Sequence, residues 1–117
     1  MEPRINNAIA AHRTWTANLR DQLAREELSQ EMKHAGYDDL CEFGRWLYSL
    51  DDAVKATPEY RRVKDLHYRF HQEAGLVAVA ASHGDFKTAN QLATGEFKRT
   101  SDDLIAAMEL WRTQLPG

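Results

Sequence analysis

Apolar residues recur every three or four positions along three long segments of this chain, a spacing that permits few structures other than packed helices. In the first segment, from Pro3 to about Arg25, apolar or ligand-capable residues recur at Ile5, Ile9, His12, Thr16, Leu19 and Leu23. Steps of three and four residues return to the same side of an α-helix, whereas a half-buried strand alternates every second residue. The pattern predicts an amphipathic helix with one side facing a core.

Two later segments repeat the pattern and carry signals for helix boundaries. Thr57-Pro58 combines a capping hydroxyl with proline at the first helical position. Gly84 can close that helix in the left-handed conformation, and Asp85 can cap the next one, which we expect to end at Pro116. The two stripes are Tyr60, Val63, His67, Phe70, Ala74, Val77 and Ala81, then Phe86, Ala89, Ala93, Phe97, Thr100, Leu104, Met108 and Trp111.

A shorter helix is predicted between the first two long ones. Residues 27–37 are polar and indicate a loop, after which Asp39 and Glu42 fit a capping box. The helix then runs to about Leu50 and carries Phe43, Trp46 and Leu47. No strand pattern competes, so we expect an all-α fold, an antiparallel four-helix bundle with one short helix, in a single domain over residues 1–117.

Composition restricts the function. The chain has 117 residues, 43% of them hydrophobic and 28% charged, with a net charge of −3. This charge gives no reason to expect a nucleic-acid partner, and the basic pair Arg61 and Arg62 is interpreted as solvated. No apolar run approaches the ~20 residues needed to cross a bilayer. The one cysteine suits a cytoplasmic protein.

Histidines occupy core-facing positions where leucine or isoleucine would favour stability more. His12 and His67 lie on their stripes. His71 follows His67 by one helical turn, so the rings of His67 and His71 can bind one metal ion together. A buried imidazole is costly unless its nitrogens are satisfied. A shared metal ion satisfies several imidazoles at once. The other two histidines, His34 and His83, are expected in solvent.

Cys41 is a candidate for the fourth ligand. If Asp39 caps the short helix, Cys41 lies in its first turn, where free N–H groups and the helix dipole favour a thiolate. Three imidazoles and one thiolate complete a tetrahedral zinc shell of net charge +1, without the open position of a catalytic site. Candidate carboxylates to balance that charge are Asp38, Asp39, Glu42 and Asp65.

These residues resemble a known family. The segments His12-Arg-Thr-Trp15, Cys41-Glu-Phe-Gly-Arg-Trp46 and His67-Tyr-Arg-Phe-His71 are similar to the HxxW, CxFGxW and HxxxH motifs of the chemoreceptor zinc-binding domain. The resemblance implies one zinc ion bound by His12, Cys41, His67 and His71 in a cytoplasmic, often dimeric, bacterial sensory domain. We expect structural roles for the other motif residues, with Trp15 packed beside the site, Phe43 and Trp46 anchoring the short helix, and Gly44 permitting close helix approach.

The resemblance also implies a signalling output, in chemotaxis or in cyclic-di-GMP synthesis. The chain shows no receptor coiled coil and no cyclase signature, so the output is expected in a fused domain or a separate partner. The signal could be zinc availability or oxidation of the Cys41 thiolate, since both act on the same metal bond.

Three other functions fit the sequence less well. A zinc hydrolase needs an open coordination position and a general base, but HExxH is absent and Glu73 is expected to point away from the metal. A di-iron bundle needs more histidines and bridging carboxylates. A metal-free dimerisation module explains every stripe except its histidines.

Overall fold

The computed structural model describes residues 2–27 and 42–114, and all regular elements in these two ranges are α-helices. They pack into a bundle about 45 Å long and 20 Å across. We number them α1 (Glu2–Ala24), α2 (Glu42–Tyr48), α3 (Asp52–Lys55), α4 (Pro58–Ser82), α5 (Phe86–Thr94) and α6 (Glu96–Gln114). The prediction of an all-α bundle is confirmed. The capping residue predicted at Asp39, the loop with His34, and Cys41 lie outside the described residues.

The predicted boundary signals of α4 and α5 are present. The Thr57 side chain accepts a hydrogen bond from the Tyr60 backbone N–H, and Pro58 begins α4. Gly84 follows the end of α4 with a φ of +78°, in the left-handed region that glycine adopts without steric cost. Asp85 then accepts a hydrogen bond from the Thr88 backbone N–H and caps α5.

The last predicted helix is divided into α5 and α6, which corrects the sequence-based expectation of one continuous helix. Gly95 interrupts it, with φ −98° and ψ −111°. The apolar stripe nevertheless continues across the division, because Ala93 and Phe97 are both buried. The one-turn helix α3 was also not predicted. It has no buried residue, so no stripe identifies it.

The three long stripes form one core. Every predicted stripe position is buried except Phe86, which is half-buried at the start of α5. At the surface, Arg112 of α6 donates to Asn6 of α1 at 2.7 Å, and Arg13 of α1 pairs with Glu109 at 3.1 Å. Later residues of α1 thus face earlier residues of α6, so these two helices run in opposite directions. None of the described helices is long and apolar enough to span a membrane.

Candidate metal centre

Two helices bring three histidines to one point in the core. His12 comes from the middle of α1, and His67 and His71 lie one turn apart on α4. Their side chains are only 6%, 1% and 8% exposed, and one ring nitrogen from each lies within 4.8 Å of those of the other two. The predicted convergence of these three residues is therefore observed, although helices α1 and α4 are far apart in the sequence.

The distances suit a tetrahedral metal site. Nε2 of His67 lies 3.1 Å from Nε2 of His71. Two nitrogens bound to one zinc ion at 2.0–2.1 Å are about 3.3 Å apart in a tetrahedral shell. The two imidazoles of α4 thus already have nearly the separation that a shared zinc ion requires.

The backbone of α1 orients the His12 ring. Nδ1 of His12 lies 2.8 Å from the carbonyl oxygen of Ala8, one turn earlier. A carbonyl oxygen only accepts hydrogen bonds, so Nδ1 carries the proton and donates it. Nε2 is then unprotonated in the neutral ring, and it is the nitrogen able to bind a metal.

The imidazoles of His12 and His67 are held neutral, which is the form that binds metal ions. Burial lowers the pKa of His12 to about 4. The hydrogen bond to Ala8 partly opposes this by raising the pKa, and repulsion from His71 lowers it by a smaller amount. Burial also lowers the pKa of His67 to about 2, assisted by repulsion from His71 and His12. Protonating either ring would place a positive charge in an apolar interior beside two other imidazoles.

One buried nitrogen has no protein partner among the described side chains. Nδ1 of His67 is buried and accepts or donates no hydrogen bond there. When Nε2 of His67 binds a metal, Nδ1 carries a proton and needs an acceptor such as a carboxylate. Asp65, one of the predicted candidates, is exposed and does not fill this role. The side chains of Asp38, Asp39 and Glu42 lie outside the described residues.

Aromatic rings enclose the imidazoles. Phe43 of α2 lies edge-on to His12 and His67, with centroids 5.8 and 5.2 Å away, and Phe70 of α4 contacts His12 and His71 at 5.2 Å each. The predicted anchor Phe43 is thus part of the site wall. Sequence reasoning did not assign Phe70 to the site, although its core stripe position next to His71 was a usable signal.

Trp15 and Trp46 lie one layer further out. Trp15 contacts the rings of Phe70 and Phe97, so it supports the wall of the site through Phe70. Trp46 packs on Phe43 and on Trp111, which attaches α2 to α6 as predicted. Both tryptophans therefore support the aromatic rings that contact the imidazoles.

Glu73 follows His71 by two residues on α4, but its side chain is engaged elsewhere. Its Oε1 accepts a hydrogen bond from Thr100 of α6 at 2.9 Å, and burial raises its pKa. Within the described ranges, only His12, His67 and His71 form a group that could hold a metal ion. The fourth predicted ligand, Cys41, lies outside those ranges, immediately before α2 in the sequence.

The fold and the site define an all-helical domain in which three histidines on two helices could hold a metal ion. The sequence profile of the chemoreceptor zinc-binding domain matches residues 12–78, more than half of the chain, and the chain belongs to this family. Its cofactor is therefore zinc, which the three buried imidazoles are suited to bind. No curated protein and no solved structure matches the chain significantly.

Proposed function

We propose that this protein is a bacterial sensory or regulatory domain with one zinc ion bound by His12, Cys41, His67 and His71. The observation that carries the proposal is the convergence of three buried imidazoles, whose ring nitrogens lie within 4.8 Å of one another, in a member of a zinc-binding family. With a thiolate as fourth ligand the shell is closed, which favours regulation over catalysis.

The zinc site would couple α1 to α4. His12 belongs to one helix, and His67 and His71 to the other, so both helices contribute ligands to the same ion. Loss of zinc would remove the ion shared by three buried imidazoles and weaken the contact between the two helices. We propose that this change reaches a fused or separate signalling protein, in chemotaxis or cyclic-di-GMP synthesis.

Oxidation of Cys41 is a second way to act on the same site. Hypochlorous acid or peroxide would take two electrons from the thiolate and give a sulfenic acid, a weaker zinc ligand. A thiol ligand requires a reducing environment, and we propose a cytoplasmic location on that ground. Oxidant treatment that neither modifies Cys41 nor perturbs bound zinc would contradict the redox form of the proposal.

Zinc content of the purified protein without a histidine tag is the decisive test. We expect about one zinc per chain in the wild type, weaker binding in Cys41→Ala, and a larger loss in His67→Ala. His83→Ala is the matched control because His83 is exposed at the end of α4, and it should keep full zinc content. No zinc in the wild type after incubation with the metal would refute the proposal.

For the assembly, we propose that α5 and α6 act as one member of an antiparallel four-helix bundle, and that two chains form a homodimer. Opposite directions of α1 and α6 support the first part. Exposed apolar side chains support the second: Leu76, Val79 and Leu110 are 58%, 56% and 56% exposed. Light scattering of the zinc-loaded protein tests the homodimer, and a monomer at high concentration would contradict it.

A further inference from the structure

A groove of about 450 Å³ lies between α1 and α2 and reaches the candidate metal centre. His12 forms part of its wall, and Phe43, which contacts the rings of both His12 and His67, forms another part. The volume is in the range of small-molecule sites in proteins. An otherwise buried metal centre therefore has an adjoining cavity large enough to admit a small ligand.

The groove follows α1 from an exposed cation to the buried imidazole. Arg4, Ala8 and His12 line it at intervals of one helical turn, so Arg4 lies about 12 Å from His12 along the helix axis. Arg4 is exposed and forms no ion pair with a described side chain. Its charge is thus available to attract an anion toward the groove.

We propose that this groove is the route by which small anionic zinc ligands, of the polycarboxylate class, reach the zinc ion and exchange it. The inference rests on the proposed function, because it requires zinc at His12. A hydrated zinc cation would be repelled by Arg4, whereas an anionic chelate of the metal would be attracted. The site would accordingly exchange zinc with anionic carriers faster than with the free ion.

The first test is the rate at which zinc leaves the loaded protein for EDTA. Exchange through the groove requires the chelator to enter, so the rate should rise in proportion to EDTA concentration. A rate that is independent of EDTA concentration would mean that zinc dissociates unaided, and it would overturn the proposal.

Tryptophan substitutions along α1 test the route itself. Ala11 lines the groove and is exposed, while Ala10 is exposed on the same helix and does not line it. Ala11→Trp should slow zinc transfer to EDTA about tenfold by obstructing the groove, with Ala10→Trp close to wild type. Asn7→Trp obstructs the same groove and replaces Ala11→Trp if that variant does not fold. Equal rates in the obstructed and control variants would overturn the proposal.

A charge reversal tests the role of Arg4. Arg20 is a matched control, because it lies eight residues after His12 on α1, as Arg4 lies eight before it, and it is exposed outside the groove. At low ionic strength, Arg4→Glu should slow transfer to EDTA by about tenfold relative to Arg20→Glu. Transfer to TPEN, an uncharged chelator at pH 8, should be equal in both. Equal slowing by the two reversals would show that only net charge matters, and it would remove Arg4 from the route.

Zinc content separates the two proposals. If the wild type contains zinc that His12→Ala loses, but obstruction of the groove changes no rate, the route is wrong and the proposed function stands. If the wild type binds no zinc, the proposed function fails and the route fails with it.

Discussion

At the scale of single residues, burial fixes the protonation of His12 and His67 and makes stability depend on pH. Both have a folded-state pKa far below the ordinary value of 6.5, at about 4 and about 2. Below pH 6.5 the unfolded chain therefore binds protons that the folded chain does not, and the free energy of unfolding falls. Above pH 6.5 both states are neutral at these positions, so the loss is absent.

We expect the zinc-free protein to lose stability steadily as the pH falls from about 6.5 toward 4. The shift at His12 alone corresponds to about 3 kcal/mol over that interval. Urea unfolding at pH 7.5, 5.5 and 4.5 measures the effect. His67→Leu removes one of the two groups and should reduce the slope between pH 6 and 4.5. A wild-type stability that is the same at all three pH values would show that these imidazoles are not buried.

The three candidate histidines could be predicted because two of them depart from an apolar pattern that is otherwise regular, and the third lies four residues after one of these. His12 and His67 stand at stripe positions, and His71 follows by one turn. The Ala8 carbonyl that orients His12 could not be predicted, because every residue has a carbonyl and only the folded geometry selects one. The Cys41 ligand stays a prediction.

At the scale of elements, the turn between α4 and α5 depends on Gly84. Its φ of +78° disfavours any residue with a side chain, yet nothing lies within 4 Å of the space a Cβ would occupy. Gly84→Ala should therefore lower the free energy of unfolding by about 1 kcal/mol through the backbone alone. Gly84→Asn is the control and should cost less, because asparagine tolerates this conformation. Thermal unfolding of both variants compares them, and an alanine variant as stable as wild type would contradict the argument.

The elements themselves were predictable to different degrees. Helices α1 and α4 have long stripes and clear boundary signals. Both begin and end within about two residues of the predicted positions. The division at Gly95 was missed because the stripe passes from Ala93 to Phe97 in helical register. Gly95 itself was the available signal, since glycine is frequent directly after a helix. A one-turn helix such as α3 is too short for periodicity to reveal.

At the scale of the whole molecule, zinc binding and folding are linked. His12 meets His67 and His71 only in the folded chain, so zinc held by these residues would bind the folded state and stabilise it. Above the dissociation constant, the free energy of unfolding should rise by about 1.4 kcal/mol for each tenfold increase in free zinc. Chemical unfolding in zinc buffers measures this slope. His67→Ala should abolish it and His83→Ala should keep it, whereas an unchanged slope in His67→Ala would place the zinc elsewhere.

The position of His12 and His67 on different helices also has a mechanical consequence. About 55 residues of the chain lie between them, and a zinc ion bound to both would carry the tension if the chain were pulled by its ends. That segment could extend only after a metal–ligand bond broke, adding about 190 Å of contour length in a single late step. The zinc ion would thus act as a force-bearing link between α1 and α4.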